Sequence, residues 1–346
     1  MTDGPLSFCV VGAGAVGGTI GARLSAAGHP TSALARGATL DALRRDGWRL
    51  ETPSGPVTGP VRASDDPAAL GPHDVLVLAV KSQSLPDVVR RLPDLMRPDT
   101  VVLPALNGVP WWFFQGFGGV HAGMAVTSVD PGGAIAAAVP TEQVLGTVVH
   151  FSASTPEPGV VVNHAGQRLI LGEPDGTSSP RLGSVADALR GAGFHVETTD
   201  AIQREIWFKL WGNMTMNPVS ALTGATADLI LDDDLVRSLC TSVMREAAAI
   251  GTEIGCPIEQ TPGDRIDVTR SLGALKTSML QDAESGRPLE LDALLSAVRE
   301  IAVATGTPTP FTDGLLGLSR LNARVRGLYP WPAAPAGGPA AAPWRP

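Results

Sequence analysis

The stretch FCVVGAGAVG, residues 8–17, decides the fold. Its first four residues are apolar, which predicts a short buried strand. A glycine loop of the form G-x-G-x-x-G follows at once, and a helix of small residues is predicted to run to about Ala27. Gly12 permits a tight turn, Gly14 lets the backbone approach a pyrophosphate, and Gly17 lets the helix pack closely on the strand. A strand, a glycine loop and a helix in this order are typical of a dinucleotide-binding domain, although a glycine-rich turn without a ligand is the alternative.

The next predicted strand, residues 31–35, carries the evidence on the cofactor. An enzyme that binds the free ribose 2′-hydroxyl of NAD usually has Asp or Glu at the end of this strand. Here no acid occurs between Gly28 and Leu40, and Arg36 stands at the strand end. An arginine neutralises a 2′-phosphate, whereas a carboxylate would repel it. The sequence therefore favours NADP over NAD, the alternative being an ordinary surface arginine.

Two further predicted strands end in polar side chains. Residues 74–80 form an apolar run that ends in Lys81, and residues 100–104 form another that is followed by Asn107. In an open parallel sheet, ligands bind beyond the carboxyl ends of the strands. Lys81 and Asn107 are therefore predicted to lie at the same edge as the glycine loop. Each alone could also be a solvated loop residue, and their shared placement favours a site.

A second group of polar residues follows a helical period. Lys209, Asn213 and Asn217 are spaced by four, so an α-helix would stack their side chains on one face. Aromatic and aliphatic residues surround this row, which suggests a shielded pocket for a polar ligand. Pro218 favours an end or a kink of the helix just beyond Asn217. The alternative is a surface stripe on a core helix.

Composition and charge exclude several classes of protein. The chain of 346 residues has a net charge of −8 and no block of Lys and Arg, so a nucleic-acid partner is not expected. It contains no apolar run long enough to span a membrane and no secretory signal pattern, and we expect a cytoplasmic protein. Its three cysteines are isolated and its six histidines lack metal-ligand spacing, so neither disulfides nor a metal site is predicted. A small-molecule substrate is the expected partner, and a homodimer stays open.

Near residue 200 the spacing of apolar residues changes from one that alternates between strands and helices to one of helices alone, which predicts two domains. We place a Rossmann NADP-binding domain at residues 1–200 and a helical substrate and catalytic domain at residues 201–327. Residues 328–346, rich in Pro, Ala and Gly, are predicted to be a disordered tail. In the second domain, the helix that carries Lys209, Asn213 and Asn217 is followed by four further predicted helices, at residues 228–255, 264–285, 290–305 and 313–326. The aromatic run Trp111–Phe114 would either wall the pocket or anchor its loop, and we favour the anchor.

Taken together, these motifs closely resemble the ketopantoate reductase (2-dehydropantoate 2-reductase) family. The resemblance covers nearly the whole chain, from the glycine loop to about Arg326. The motifs that carry it are residues 12–17, Val80-Lys81, Asn107-Gly108, Lys209-Leu210-x-x-Asn213-x-x-x-Asn217-Pro218, Ser278-Met279-Leu280-Gln281-Asp282 and Gly286-Arg287-Pro288-x-Glu290. The resemblance implies an α/β plus all-α fold, with an N-terminal Rossmann-type domain, an all-helical C-terminal domain and the active site in the cleft between them.

The resemblance also implies roles for individual residues. Lys209 would be the general acid, because an ammonium within reach of the ketone oxygen can donate a proton to it. Glu290 would bind the hydroxyl side of the substrate and help to position the lysine. Asn213 and Asn217 would hydrogen-bond the substrate, and Ser278 would bind its carboxylate. Asn107, near the nicotinamide, would contact both substrate and cofactor. The residues implied to bind NADP are Gly12, Ala13, Gly14, Ala15, Val16, Gly17, Arg36, Lys81 and Asn107.

The activity implied is the NADPH-dependent reduction of a 2-oxo acid to its 2-hydroxy acid, with ketopantoate the first choice of substrate. One alternative is a relative that reduces another ketone or an imine, for example in secondary metabolism. The other is a non-catalytic NADPH-binding sensor. Retention of both Lys209 and Glu290 argues against the sensor, because a sensor needs neither an acid nor its partner.

Overall fold

Two β-sheets form the N-terminal part of the chain. The computed structural model describes residues 4–332, and ten strands are present in this range. They are β1 (Phe8–Val11), β2 (Thr31–Leu34), β3 (Trp48–Thr52), β4 (Gly55–Gly59), β5 (Arg62–Ser64), β6 (Val75–Leu78), β7 (Val101–Pro104), β8 (Gly146–Glu157), β9 (Val160–Gly172) and β10 (His195–Thr198).

The first sheet is parallel throughout and has the order β5-β2-β1-β6-β7. β1 lies at its centre, with Val11 opposite Leu34 on one side and Leu78 on the other. All residues of β1, β2, β6 and β7 are buried, which is why these strands read as continuous apolar runs in the sequence. Their carboxyl ends meet at one edge, so the residues that follow them share that edge.

The second sheet packs on the other side of the first helix. It has the order β10-β9-β3-β4, with β8 pairing antiparallel to β9. The first helix contacts strands of both sheets. Its small residues let it lie between two layers of backbone, and Gly21 packs on the Trp48 ring of the second sheet. The pattern of small residues is thus explained by this double contact.

The α-helices of the first part surround these sheets, and a larger group follows them. The first part contains α1 (Ala15–Ala26), α2 (Gly37–Asp46), α3 (Pro67–Leu70), α4 (Leu85–Val88), α5 (Ala134–Ala138) and α6 (Pro180–Gly191). The second contains α7 (Ile202–Thr223), α8 (Ala227–Asp232), α9 (Asp234–Glu253), α10 (Pro262–Arg270), α11 (Ser278–Glu284), α12 (Ala297–Thr305) and α13 (Pro310–Val325). The described strands all precede α7, so the expected α/β fold followed by an all-helical domain is confirmed.

Two predicted helices of the second part are each divided. The segment 228–255 is split at Asp233, whose carboxylate accepts hydrogen bonds from the first N–H groups of α9. The segment 264–285 is split into α10 and α11 by residues 271–277. Gly273 has a positive φ of 64°, and the Thr277 hydroxyl caps α11. The prediction missed both breaks because apolar residues keep a helical spacing on either side of them. The capping residues Asp233 and Thr277 nevertheless start new helices there.

α7 is the longest helix and passes through the interior of the second part. The sequence predicts an end or a kink of this helix just beyond Asn217. The helix does not end there but continues to Thr223, with Pro218 inside it. Most of its residues are buried, including Trp207 and Trp211, which donate hydrogen bonds to carbonyl groups of α9. Packing on all sides therefore holds the helix together across the hydrogen bond that the proline removes.

The remaining expectations concern the loops and the end of the chain. All four side chains of Trp111–Phe114 are buried in the core, which agrees with their interpretation as an anchor. Leu328 is buried and its carbonyl accepts a hydrogen bond from the Leu289 N–H, so packed chain extends beyond the predicted start of the tail at residue 328. Residues 333–346 of that tail lie outside the described residues. Among residues 4–332 no helix is long and apolar enough to span a membrane.

Candidate active site

The glycine loop has the geometry that a dinucleotide requires. Gly12 has a φ of 98°, and a Cβ atom there would lie 2.7 Å from the Val80 side chain. A Cβ atom at Gly17 would lie 2.1 Å from the carbonyl oxygen of Gly12, so only glycine fits between loop and helix. A Cβ atom at Gly14 would meet nothing within 4 Å, which leaves its backbone open to approach. The N-terminus of α1 follows directly, and its free N–H groups suit a pyrophosphate.

Arg36 follows the end of β2, next to the glycine loop. The Gly12 N–H donates to the Leu34 carbonyl, so the end of β2 is tied to the glycine loop. Arg36 follows that strand end, is exposed, and its side chain forms no ion pair with a described residue. A cavity of about 320 Å³ is lined by Gly14, Thr39 and residues 155–159, at the end of the β8–β9 hairpin. The Arg36 guanidinium is therefore open to a ligand at this end of β2.

Lys209 lies at the contact between the two parts of the chain. Its ammonium Nζ donates to Asn107 Oδ1 at 2.9 Å and to the Val149 carbonyl oxygen at 2.6 Å. Asn107 follows β7 at the ligand edge of the parallel sheet, and Val149 belongs to β8. Two of the three hydrogen-bond donors of the ammonium are thus held by fixed acceptors, and the third can be offered to a ligand.

The surroundings of Lys209 also set its charge. Burial lowers its pKa from 10.5 to about 8, while the negative charge of Glu290 opposes part of that change. At neutral pH the ammonium is therefore protonated but gives up its proton more readily than a solvated lysine. These are the properties that a general acid needs.

Glu290 bonds a different lysine from the one expected. Its carboxylate accepts from Lys81 Nζ at 3.2 Å and from the Ser82 N–H at 2.9 Å. Asp282 accepts from the same ammonium at 2.6 Å and from Arg287 Nε at 2.9 Å. Burial lowers the pKa of Lys81, but the charges of Glu290 and Asp282 outweigh it, so the net shift is upward. This cluster ties the end of β6 to the helical domain, and Glu290 acts on Lys209 through its charge.

The other residues of the predicted row, Asn213 and Asn217, also lie on α7. Asn213 is partly exposed and Asn217 is buried, and neither side-chain amide bonds another described residue. Ser278 is the first residue of α11, and the neighbouring Thr277 hydroxyl lies 2.5 Å from the Ser220 hydroxyl of α7. That contact holds Ser278 beside the helix that carries both asparagines, which leaves three polar groups for a ligand.

The Asn107-Gly108 pair is positioned by an irregular helix. Residues 292–296 form a π-helix that follows Glu290 closely and leads into α12. Gly108 has a φ of 87°, and a Cβ atom there would lie 2.4 Å from the Ala293 carbonyl oxygen. The Val109 N–H donates to the same oxygen at 2.9 Å. The glycine therefore lets the Asn107 loop dock on the helical domain, and π-helical turns are frequent at functional sites.

Sequence reasoning missed two members of this site. Asp282 belongs to the motif Ser278–Asp282, but the sequence does not predict its ion pair with Lys81, which is 201 residues away in the chain. The Val149 carbonyl is a backbone group and has no sequence pattern at all. The position of Asp282 four residues after Ser278 was the one signal available, because that spacing puts both on one face of α11.

Comparisons with known proteins show the family of the chain. The family model described as "Ketopantoate reductase PanE/ApbA" matches residues 8–111, and the model described as "Ketopantoate reductase PanE/ApbA C terminal" matches residues 201–323. The 2-dehydropantoate 2-reductase of Mesorhizobium japonicum is 41% identical over 94% of this chain and 100% of its own length.

The chain belongs to the ketopantoate reductase family. Solved structures of similar proteins support the same assignment. A chain of Ralstonia solanacearum, named as a candidate ketopantoate reductase, is 55% identical with a TM-score of 0.90, over 94% of this chain and 100% of that one. The 2-dehydropantoate 2-reductase of Geobacter metallireducens is 27% identical with a TM-score of 0.81, over 91% and 99%. Family membership and the glycine loop together identify the cofactor as a nicotinamide dinucleotide.

Proposed function

We propose that this ketopantoate reductase family member catalyses the NADPH-dependent reduction of 2-dehydropantoate to pantoate. The observation that carries the proposal is the Lys209 ammonium, held by Asn107 and the Val149 carbonyl at the ligand edge of the parallel sheet. A protonated amine with one donor free, in a cleft beside a dinucleotide loop, suits a reaction in which a ketone oxygen gains a proton.

Each residue of the site has a task in this reaction. The chemistry that a bound nicotinamide supplies is a hydride for the ketone carbon. Lys209 stabilises the negative charge that develops on the ketone oxygen and donates the proton that completes the alcohol. Asn107 and the Val149 carbonyl fix the direction of the ammonium. Asn213 and Asn217 offer amide groups to the polar groups of the substrate.

Glu290 has two tasks in the same proposal. Its negative charge raises the pKa of Lys209 against the effect of burial, and so keeps the acid protonated at neutral pH. Its carboxylate also holds Lys81 and the Ser82 N–H, which orders the end of β6 beside the cleft. Ser278, exposed at the start of α11, would hydrogen-bond the substrate from the helix that packs beside α7.

NADP is the cofactor we propose, because Arg36 is exposed and has no described ion-pair partner. The described residues place no acid directly at the end of β2, where a carboxylate would bond the ribose of NAD. The free guanidinium supports binding of a 2′-phosphate with a charge-assisted, bidentate geometry.

The alternative within the enzyme class is reduction of another ketone or an imine. A panel assay separates these functions: NADPH consumption is followed with ketopantoate, other 2-oxo acids, neutral ketones and cyclic imines, with NADH in a parallel series. We expect ketopantoate to give the highest kcat/KM and NADPH to be preferred over NADH. A higher kcat/KM for an imine or a neutral ketone would overturn the proposed substrate, and binding of NADPH without turnover of any compound would favour the sensor.

A further inference from the structure

Arg265 of α10 lies against the helix that carries Lys209. Its guanidinium Cζ is 5.4 Å from the centre of the Phe208 ring, which is the distance of a cation–π contact. A Cβ atom at Gly212 would lie 2.7 Å from Arg265 Nη2 and 2.8 Å from Arg265 Nε. The guanidinium therefore lies against α7 in a space that a side chain at residue 212 would occupy.

This arginine has no anion of its own within the described part of the chain. No carboxylate of residues 4–332 forms an ion pair with it, and its buried Nε has no hydrogen-bond acceptor. Other arginines of this region are satisfied: Arg237 and Arg270 both donate to the Leu231 carbonyl. Lys81, by contrast, already holds two carboxylates. A buried donor without an acceptor is costly, so the geometry suits an anion that arrives with a ligand.

Arg265 approaches the turn of α7 that carries Lys209, and the charges of both residues act on His150. Phe208, on which it stacks, precedes Lys209 in α7, and Gly212 lies one turn further on. His150 adjoins Val149, the residue whose carbonyl holds the Lys209 ammonium, and its Nε2 is also buried without a partner. Burial, followed by the charges of Lys209, Arg168 and Arg265, lowers the pKa of His150 to about 4. At neutral pH His150 is therefore uncharged, and Lys209 and Arg265 provide the positive charge on this side of the cleft.

We infer that Arg265 binds the carboxylate of the 2-oxo acid substrate and thereby selects acids over neutral ketones. In a 2-oxo acid the carboxylate is bonded directly to the ketone carbon, so its cation must lie close to the group that protonates the ketone oxygen. Arg265 approaches the Lys209 turn of α7 from α10, and its guanidinium lies over the Phe208 ring. The inference rests on the proposed reductase function and assigns the charge recognition to Arg265, with Ser278 adding a neutral hydrogen bond.

Removal of the substrate's charge tests this assignment. Arg265→Met keeps an apolar contact with Phe208 and removes the cation, and Arg265→Lys keeps a charge without the planar fork. With the 2-oxo acid that the unmodified enzyme prefers, we expect Arg265→Met to lower kcat/KM by about 10- to 100-fold and Arg265→Lys to lose less. With the methyl ester of the same acid, both variants should differ from the unmodified enzyme by less than about twofold. Arg270→Met, at the exposed last residue of α10, is the matched control, because Arg270 bonds the Leu231 carbonyl and does not contact α7 residues Phe208 or Gly212.

Equal losses on acid and ester, or no loss on the acid, would overturn the assignment. A binding measurement keeps it separate from the proposed function. Oxamate, which carries the carboxylate and carbonyl of a 2-oxo acid, is titrated calorimetrically into the protein saturated with NADP⁺. The affinity should fall about tenfold or more in folded Arg265→Met and stay unchanged in Arg270→Met. Equal affinities of the unmodified protein and Arg265→Met, or no binding to either, would refute the role of Arg265. Failure to reduce any 2-oxo acid while oxamate binding still depends on Arg265 would refute the proposed function alone.

Discussion

The pH dependence of reduction should report the charge of Lys209. Because burial lowers its pKa to about 8, the ammonium is about nine-tenths protonated at pH 7 and about one-tenth protonated at pH 9. If the protonated form donates to the ketone oxygen, kcat/KM should fall roughly tenfold between these two values. A lysine with the ordinary pKa of 10.5 would lose almost nothing over the same range. The assay is steady-state NADPH consumption at subsaturating ketopantoate, with saturating cofactor, from pH 6 to pH 10.

Two substitutions at the same position complete this test. Lys209→Met should lower turnover by about 10²–10⁴-fold, the usual effect of one positioned acid, and should remove the alkaline limb of the profile. Lys209→Arg keeps the charge but does not release a proton in this range, so it should also lose turnover. Circular dichroism and NADPH affinity serve as controls of folding. A folded Lys209→Met protein with unmodified turnover, or an unmodified enzyme with a flat profile to pH 9, would refute the assignment of Lys209 as the acid.

Three further changes give separate outcomes. Arg36→Ala should weaken NADPH binding by about tenfold or more and leave NADH binding unchanged, as measured by fluorescence titration; equal affinity of the unmodified protein for both cofactors would contradict this. Glu290→Gln should reduce turnover, leave NADPH affinity almost unchanged and shift the alkaline limb to lower pH, because loss of the negative charge lowers the pKa of Lys209 further; a collapse of cofactor binding would contradict its place on the helical domain. Gly108→Ala should displace the Asn107 loop and so lower both turnover and Tm. The free energy of unfolding should fall by about 1–3 kcal/mol, and an unchanged Tm would show that the loop has room for a side chain.

The parallel sheet and the long helix could be predicted from sequence because their signals are local. β1, β2, β6 and β7 are buried on both faces and appear as apolar runs, and the glycine loop follows β1 without a gap. The stacking of Lys209, Asn213 and Asn217 on α7 follows from helical spacing alone. These elements also carry residues of the family motifs, so the sequence predicts the glycine loop and the Lys209 row together.

The second sheet and the partners within the site could not be predicted in this way. β3 and β4 are short and partly exposed. β3 pairs with β4 on one side and with β9, more than a hundred residues later, on the other, so no local sequence pattern predicts this sheet. Glu290 was expected beside Lys209, whereas its carboxylate bonds Lys81 and acts on Lys209 through its charge. Such partners depend on how the helical domain docks on the parallel sheet, which is a property of the packed molecule. The same holds for Arg265, whose neighbours Phe208 and Gly212 lie on another helix.

The most direct test of the proposed reaction follows a labelled hydrogen into the product. The purified protein is incubated with ketopantoate and NADPH that carries deuterium at both positions of the nicotinamide C4, and the product is analysed by mass spectrometry. We predict pantoate with one deuterium at C2, formed at a rate that falls about 10²–10⁴-fold in Lys209→Met. Folded, NADPH-binding protein that yields no labelled pantoate above the enzyme-free background would contradict the account.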